Sequence, residues 1–598
     1  MASITKADTP PIEYEERGFR QVMSVVHTWS TLVPIWVLYF VFITGTIGYF
    51  HVEITNWMKP EIDHVAEPVD DAVLFEHATR YLGENAAGAT TWSISLPSER
   101  RETSFIFWSR NITPEERETL TPAQQEELRE SNSGNVVLDP VTGATYGDEV
   151  RATGGGDLLY RMHYVLHYMP RAMGEYIVII CTILMFAGLV TGIIIHKKIF
   201  KDFFTFRPAK GQRSWLDVHN ISSVMTLPFQ LMITFSGMLF YLATIMPLVF
   251  YGPTATFGFD VEDFLTSESI ADVNPKNQEL IGILAEEVFG ITPAPEAAGV
   301  QASMAPLSDI TSDFRSRYPD AKIDRLILQN PSDQNAAATI RFVPGIGSPA
   351  IGVANYSAAT GERLGDSAGE RQGSVAGNIQ ATILSLHEGR FSPIALRWLY
   401  FLTGLAGAAM IASGAVLWAR KRRQAYETEL KRFAKTSAQS GDGAADPKVG
   451  KGVIFVEHMN VATIIGLPIG VAAYFLANRL IPVGLEGRAS LEADAMFIAW
   501  ALTFVMAVIR PSRRIWTELM WLACAAYASI PFANAFTTNR HLGASLPDGD
   551  WMMAGFDLTM FGIAFLFGLT AYRSAITRVD IKPQPNAAIQ QPVMDPAQ

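Results

Sequence analysis

The sequence predicts an integral membrane protein of the α-helical class, with about eight transmembrane helices. They are arranged as a duplicated unit of helix, outer α+β domain and helix, followed by a C-terminal four-helix extension. Three observations predict this. Mostly apolar runs of about 17 to 25 residues recur along the chain, the length needed to cross about 30 Å of hydrocarbon. Lysine and arginine collect in alternate loops. Histidines recur at a common distance from a hydroxyl-glycine pair in two halves of the chain.

The apolar runs fall near residues 31–50, 176–195, 221–250, 398–418, 461–477, 496–509, 515–533 and 555–572. The first follows a mixed, charged tail and has no small-residue cleavage site after it, so it reads as a retained helix. Lys197, Lys198, Lys201, Arg207, Lys210 and Arg213 follow the second run, and Arg420, Lys421, Arg422, Arg423, Lys431, Arg432 and Lys435 follow the fourth. Arg510, Arg513 and Arg514 follow the sixth, and Arg573 and Arg578 the eighth. All four clusters share one face if the chain spans eight times. That places both termini in the cytoplasm of a bacterial inner membrane and residues 52–170 and 252–392 in the periplasm.

The two outer segments contain alternating stretches, such as Thr91-Trp-Ser-Ile-Ser and Ala338-Thr-Ile-Arg-Phe-Val, that read as half-buried strands of small α+β domains. The Ser, Gly, Ala and Asp-rich stretch 436–450 reads as a cytoplasmic linker, and the Pro- and Gln-rich tail from Ile581 as disordered.

Composition excludes several classes. Hydrophobic residues make up 49% of the 598, and the net charge of -12 comes with no basic patch interleaved with base-stacking aromatics, so nucleic acid is not a partner. The only cysteines, Cys181 and Cys524, sit in apolar runs, which leaves no disulfide framework, no covalent-haem motif and no iron–sulfur set. Without a GxGxxG turn or a Walker sequence, any electrons must come from a separate donor, a soluble flavoprotein or a membrane quinol.

His27 precedes Thr44-Gly45 as His219 precedes Ser236-Gly237, with 18 residues from histidine to glycine in each. On a straight helix that is about 27 Å, which sets each histidine at the inner end and each glycine near the outer end. The outer segments share Thr-Gly-x-x-x-Gly-Asp, at Thr142 and at Thr360, a hairpin-type signature. Leu166-His167 opens the approach to the second helix as Leu386-His387 opens the approach to the fourth. Two tiers follow, His27 with His219 on the cytoplasmic side and His167 with His387 on the periplasmic side. Two imidazoles facing across a pseudo-twofold axis can fill both axial positions of one haem iron. With no open iron position, such a centre favours electron transfer over oxygen activation, and two of them form a wire across the bilayer.

These residues resemble the PepSY-associated transmembrane-helix proteins, often described as iron-regulated membrane proteins. The resemblance spans about residues 15–423. It rests on the histidine-bearing helix starts, the Thr-Gly-x-x-x-Gly-Asp elements and Leu386-His387-Glu-Gly-Arg-Phe. The stretch from His196-Lys-Lys-Ile-Phe to Trp215-Leu-Asp-Val-His219 is especially close. The family includes siderophore reductases that hold two b-type haems and pass electrons from the cytoplasm to periplasmic ferric siderophore. The resemblance therefore implies two haem b groups, a ferric siderophore or other ferric chelate as acceptor, and PepSY-like outer domains.

The resulting layout is a tail and first helix at 1–52, PepSY-like domains at 53–170 and 252–392, and helices two and three with their basic loop at 171–251. The fourth helix follows at 393–420, a linker at 421–457, helices five to eight at 458–575 and a tail at 576–598. Other residues carry open readings. His163 and His167, four apart, could share a helix face and a metal, or His163 could neighbour or replace a haem ligand. His196 and His458, at the cytoplasmic level, could replace a ligand, bond a haem propionate or sit in the interface. Arg171, Arg390 and Arg397 could pair with propionates or snorkel to headgroups. Glu518 and Asp557 are ionisable residues in apolar runs, and an ion pair is as good a reading of them as a functional one. Two competing functions stand beside siderophore reduction: a quinol-linked cytochrome with another periplasmic acceptor, and a haem-free protein whose outer domains bind peptides or proteases.

Overall fold

The computed structural model describes residues 18–62, 69–196, 211–241, 295–343, 352–366, 375–389, 391–440, 449–510 and 514–579, with Arg207, apart from positions 99, 102, 114, 115, 117, 118 and 148. Lys197, Lys198, Lys201, Lys210, Arg390, Arg513, residues 252–294 and the tail from Ile581 lie outside these residues. The chain divides into two compact units. One comprises Met1–His51, His64–Gly147 and Gly156–Val449, and the other Val52–Asp63, Asp148–Gly155 and Gly450–Gln598.

In the first unit, α1 (Phe19–Leu32) and α2 (Ile35–Gly48) form one apolar run bent by 62°. Pro34 lies in the break, where its ring and missing amide interrupt the helical ladder. Next come α3 (His51–Met58), which straddles the two units, and α4 (Asp71–Asn85), capped by the Asp70 carboxylate accepting from the Ala72 amide at 2.9 Å. Strands β1 (Thr91–Ser95) and β2 (Ser104–Ser109), helix α5 (Pro122–Ser131), and strands β3 (Gly134–Leu138) and β4 (Thr145–Tyr146) complete the first outer segment. Helix α6 (Gly155–Tyr164) leads into the spanning helix α7 (Arg171–Ile195).

The second half repeats the order. Helices α8 (Gln212–Met225) and α9 (Leu227–Phe240) are bent by 68°, with Pro228 just past the break. Then come α10 (Leu307–Arg317), strands β5 (Lys322–Gln329), β6 (Ala337–Val343), β7 (Gly352–Ser357) and β8 (Arg363–Asp366), and helices α11 (Val375–Glu388) and α12 (Ile394–Ser440). Helix α1 packs on α7 and α8 on α12, while α2 crosses to α12 and α9 to α7, the reciprocal exchange that a twofold duplication produces. Helix α12 runs for 47 residues, beyond the expected end near residue 420. Its second half is rich in Lys, Arg, Glu, Ala and Gln and meets no glycine or proline before Gly441, so nothing stops it there.

The two outer segments, expected as separate domains, form one eight-stranded antiparallel sheet of order β4-β3-β2-β1-β5-β6-β7-β8. The halves join where Thr91 to Ser95 pair with Gln329 to Arg325. Helices α4 and α10 cover the same face, and one core joins Leu74, Phe75, Trp92, Ile94 and Ile106 to Phe314, Leu326, Ile340, Phe342 and Tyr356. Each such buried side chain stabilises the domain by about 1.5–3 kcal/mol, and the two halves share these contacts in one core. Both shared turn motifs are hairpins, with Gly143 at φ 69° and Gly361 at φ 75°, where only glycine is unstrained.

The second unit packs α13 (Lys451–Ile464), α14 (Gly466–Leu480), α15 (Arg488–Ile509), α16 (Arg514–Thr537) and α18 (Trp551–Val579), with the short α17 (Leu542–Ser545) between the last two. Val461, Ile465, Ile469, Ala507, Ile515, Leu519 and Ala523 form its apolar core. Among the described residues six helices are long and apolar enough to cross a membrane, or eight if each bent pair is one span. The chain is a multi-pass helical membrane protein.

Candidate functional site: four histidines held on facing helices

Four histidines of the first unit are built alike. His27 Nδ1 lies 2.9 Å from the Gly188 carbonyl and 3.4 Å from Thr191 Oγ1. In the second repeat His219 Nδ1 lies 2.9 Å from the Met410 carbonyl and 3.3 Å from Ser413 Oγ. His163 Nδ1 lies 2.8 Å from the Val41 carbonyl. His387 Nδ1 lies 2.8 Å from Ser236 Oγ. A carbonyl only accepts, and the Ser236 hydroxyl gives its own proton to the Met232 carbonyl at 2.6 Å, so each Nδ1 is the protonated, donating nitrogen and each Nε2 keeps a lone pair in the neutral ring. This is how a metal-binding imidazole is oriented.

Each ring also lies against a glycine. A Cβ on Gly192 would stand 3.4 Å from His27 Cε1, and one on Gly414 or Gly237 would stand 3.3 Å from Cε1 of His219 or His387. On Gly45 it would overlap the His163 ring. All four glycines follow a hydroxyl residue: Thr191-Gly192, Ser413-Gly414, Ser236-Gly237 and Thr44-Gly45. Glycine lets the imidazole approach the helix backbone, and the hydroxyl one residue earlier lies beside Nδ1 in three of the four cases.

The rings come in pairs. His27 on α1 and His219 on α8 occupy matching places in the two repeats. The His163 and His387 centroids are 5.9 Å apart, with the planes inclined by 40°. Two metal–imidazole bonds of about 2 Å each would set axial ring centroids about 6 Å apart, so the outer pair fits two imidazoles on one iron. The tyrosines beyond the two glycines reciprocate: Tyr49 donates to the His387 carbonyl at 3.2 Å and Tyr241 to the Tyr164 carbonyl at 2.8 Å.

His167, expected opposite His387, lies elsewhere. Helix α6 ends at Tyr164, so His167 falls in the following turn and packs on Tyr168, itself at φ 61°, with centroids 4.2 Å apart. The ring beside His387 is His163. Since the helix stops between them, His163 and His167 share no helical face, and the described residues hold no cluster of three or more His, Cys, Asp or Glu able to bind a metal ion. His196 caps the end of α7 with Nδ1 buried and unpartnered, and His458 lies on α13 in the second unit. Arg171 pairs with Glu175 at 2.8 Å, Arg397 lies over the Phe50 ring at 5.8 Å, and Arg390 lies outside the described residues. Glu518 faces Arg510 at 3.3 Å. Asp557 accepts from Trp57 Nε1 and Asn534 Nδ2.

Sequence spacing ranked His163 behind His167 and missed Thr191-Gly192 and Ser413-Gly414. The signal was present. His163 and His387 each stand one residue before their helix ends, with Met162 or Leu386 preceding and Leu159 or Ile383 one turn earlier.

Fold and site together define a duplicated multi-pass membrane protein that carries two histidine pairs on facing helices. The chain belongs to the PepSY-associated TM region family, whose model matches residues 24–421. No curated protein matches the chain. The matched stretch ends within α12, so α13 to α18 lie beyond it.

Proposed function

We propose that this protein is a two-haem transmembrane electron carrier that passes electrons from the cytoplasm to a periplasmic ferric chelate such as a ferric siderophore. His27 and His219 hold the inner haem b, and His163, in place of His167, joins His387 to hold the outer one. The observation that carries this reading is the construction repeated four times: Nδ1 bound to the opposing helix, Nε2 free, glycine against the ring. Lone histidines near helix ends need no such repetition. A bound haem would supply a one-electron ferric–ferrous couple. The residues of this chain fix the imidazole tautomer and orientation, and the surrounding helices keep water from the iron. One electron delivered to the chelate turns its ferric ion ferrous, a form bound less tightly by hard oxygen donors. The basic loops favour cytoplasmic termini and an inner-membrane location.

The purified full chain in detergent should show a reducible b-type spectrum with two haems per chain, reoxidised on mixing with a ferric siderophore. A chain without a Soret band would defeat the haem reading, and reduced haem indifferent to ferric chelates would defeat the acceptor. A reporter fused after Lys435 should read cytoplasmic, and a periplasmic result would reverse the electron direction.

A further inference from the structure

The second unit contains a buried polar cluster built around two segments that come from far earlier in the chain than its helices. Arg479 donates to the Trp57 carbonyl and to the side chains of Asn534, at 2.8 Å, and Asn478. Its guanidinium also lies 3.6 Å over the Trp57 ring. Phe556 stacks against that ring at 4.1 Å, and Asp557 accepts the indole N–H at 3.0 Å. The second segment is gripped in the same way. Arg488 donates to the Ala152 carbonyl at 2.9 Å, Thr153 donates to Glu492, and Tyr474 donates to the Gly155 carbonyl at 2.9 Å. Arg151 joins the segments, reaching Glu61 at 2.6 Å and the Asn478 carbonyl at 2.8 Å.

Arg151, Arg479 and Arg488 stand against Glu61, Glu492 and Asp557, so the charges balance and the cluster needs no ion of its own. Three of the bonds, from Arg479, Arg488 and Tyr474, go to backbone carbonyls of the two early segments. That pattern suits holding a chain in place better than moving an ion through the membrane.

Both segments run directly into the outer histidine site. Trp57 and His51 lie on one eight-residue helix, α3. His51, in the first unit, pairs with Asp157 of α6 at 2.6 Å and stacks at 5.1 Å on Tyr160, whose hydroxyl donates to Glu388 at 3.3 Å, next to His387. Gly155, held by Tyr474, is the first residue of α6, the helix that carries His163.

We infer that α13 to α18 act as a clamp that positions the outer histidine pair, with Trp57 as the positioning residue at its centre. The inference rests on the haem reading only for one of its two tests. The clamp fixes α3 and the start of α6, and through them the angle at which His163 meets His387. The inner pair, on α1 and α8, has no such connection through α3 or α6.

The full chain in nanodiscs tests it with two variants. Trp57→Phe keeps a ring between Arg479 and Phe556 but loses the donor to Asp557, whereas Asp557→Asn keeps an acceptor for the indole and removes the charge. Trp57→Phe should shift the paramagnetic resonance signature of the outer haem alone and should speed amide exchange across residues 157–164 by tenfold or more. Asp557→Asn should change both less. Faster exchange confined to α3, with α6 and both haem signals unchanged, would overturn the clamp. If the chain proves to hold no haem, the exchange arm still decides, because it reads α6 directly.

Discussion

At the scale of single residues, the contact that matters most is the imidazole resting on a glycine. The Nδ1–carbonyl hydrogen bond adds only about 1 kcal/mol to stability, but it fixes which nitrogen can face a metal. The glycines then decide how far the ring can go. A methyl group at Gly192 or Gly414 stands 3.4 or 3.3 Å from Cε1 and is met by a ring shift of a few tenths of an ångström, whereas at Gly45 it occupies the place of the His163 ring. Gly192→Ala and Gly414→Ala should therefore keep both haems with a perturbed inner signal, and Gly45→Ala should lose the outer haem. Haem-to-protein ratios and resonance spectra of the three variants check this. Full haem content with unchanged spectra in all three would show that the glycines only pack helices.

At the scale of elements, the bends and the sheet depart most from what spacing alone suggested. The 18 residues from His27 to Gly45 do not measure the about 27 Å of a straight helix, because the run is bent by 62° near Pro34, and its counterpart by 68° near Pro228. The two prolines were visible in the sequence, but a proline marks a kink without giving its direction. Strands β1 and β6 fall where alternation predicted them, yet the pairing of β1 with β5 joins segments more than two hundred residues apart, which local periodicity does not encode. The outer domain also has an acid-sensitive tie. Asp313 on α10 accepts from Arg317 at 2.9 Å and from the buried Tyr356 hydroxyl of β7 at 3.0 Å, which together hold its carboxyl below the usual carboxylate range. A depressed native value contributes stability above the unfolded pKa of about 3.9 and loses it as pH falls through the native value. Asp313→Asn should make the acid unfolding of the sheet shallower, as followed by near-ultraviolet circular dichroism between about pH 2 and 6. Identical acid limbs in both proteins would remove Asp313 from the account.

At the scale of the whole molecule, the duplication organises everything from His27 to α12, and much of it was legible because a repeat compares the chain with itself. Spacing singled out His27, His219 and His387, and the structure seats each of these rings against a glycine of an opposing helix. His167 was preferred to His163 because the dipeptides Leu166-His167 and Leu386-His387 match, while the helix end at Tyr164 that lies between the two histidines is a boundary the sequence marks only weakly. Of the polar cluster around Trp57 only Asp557 was legible, as an ionisable residue in an apolar run, because its partners at positions 57, 151, 479 and 488 are far apart in the sequence and each unexceptional in its own neighbourhood. On the proposed function, each histidine pair holds one haem through one ligand from each repeat, with His163 in the outer pair. The most direct test is haem-to-protein stoichiometry in His163→Ala and His167→Ala. His163→Ala should hold one haem per chain, the inner one, and His167→Ala two. Two haems retained in His163→Ala, or the outer haem lost from His167→Ala alone, would contradict it.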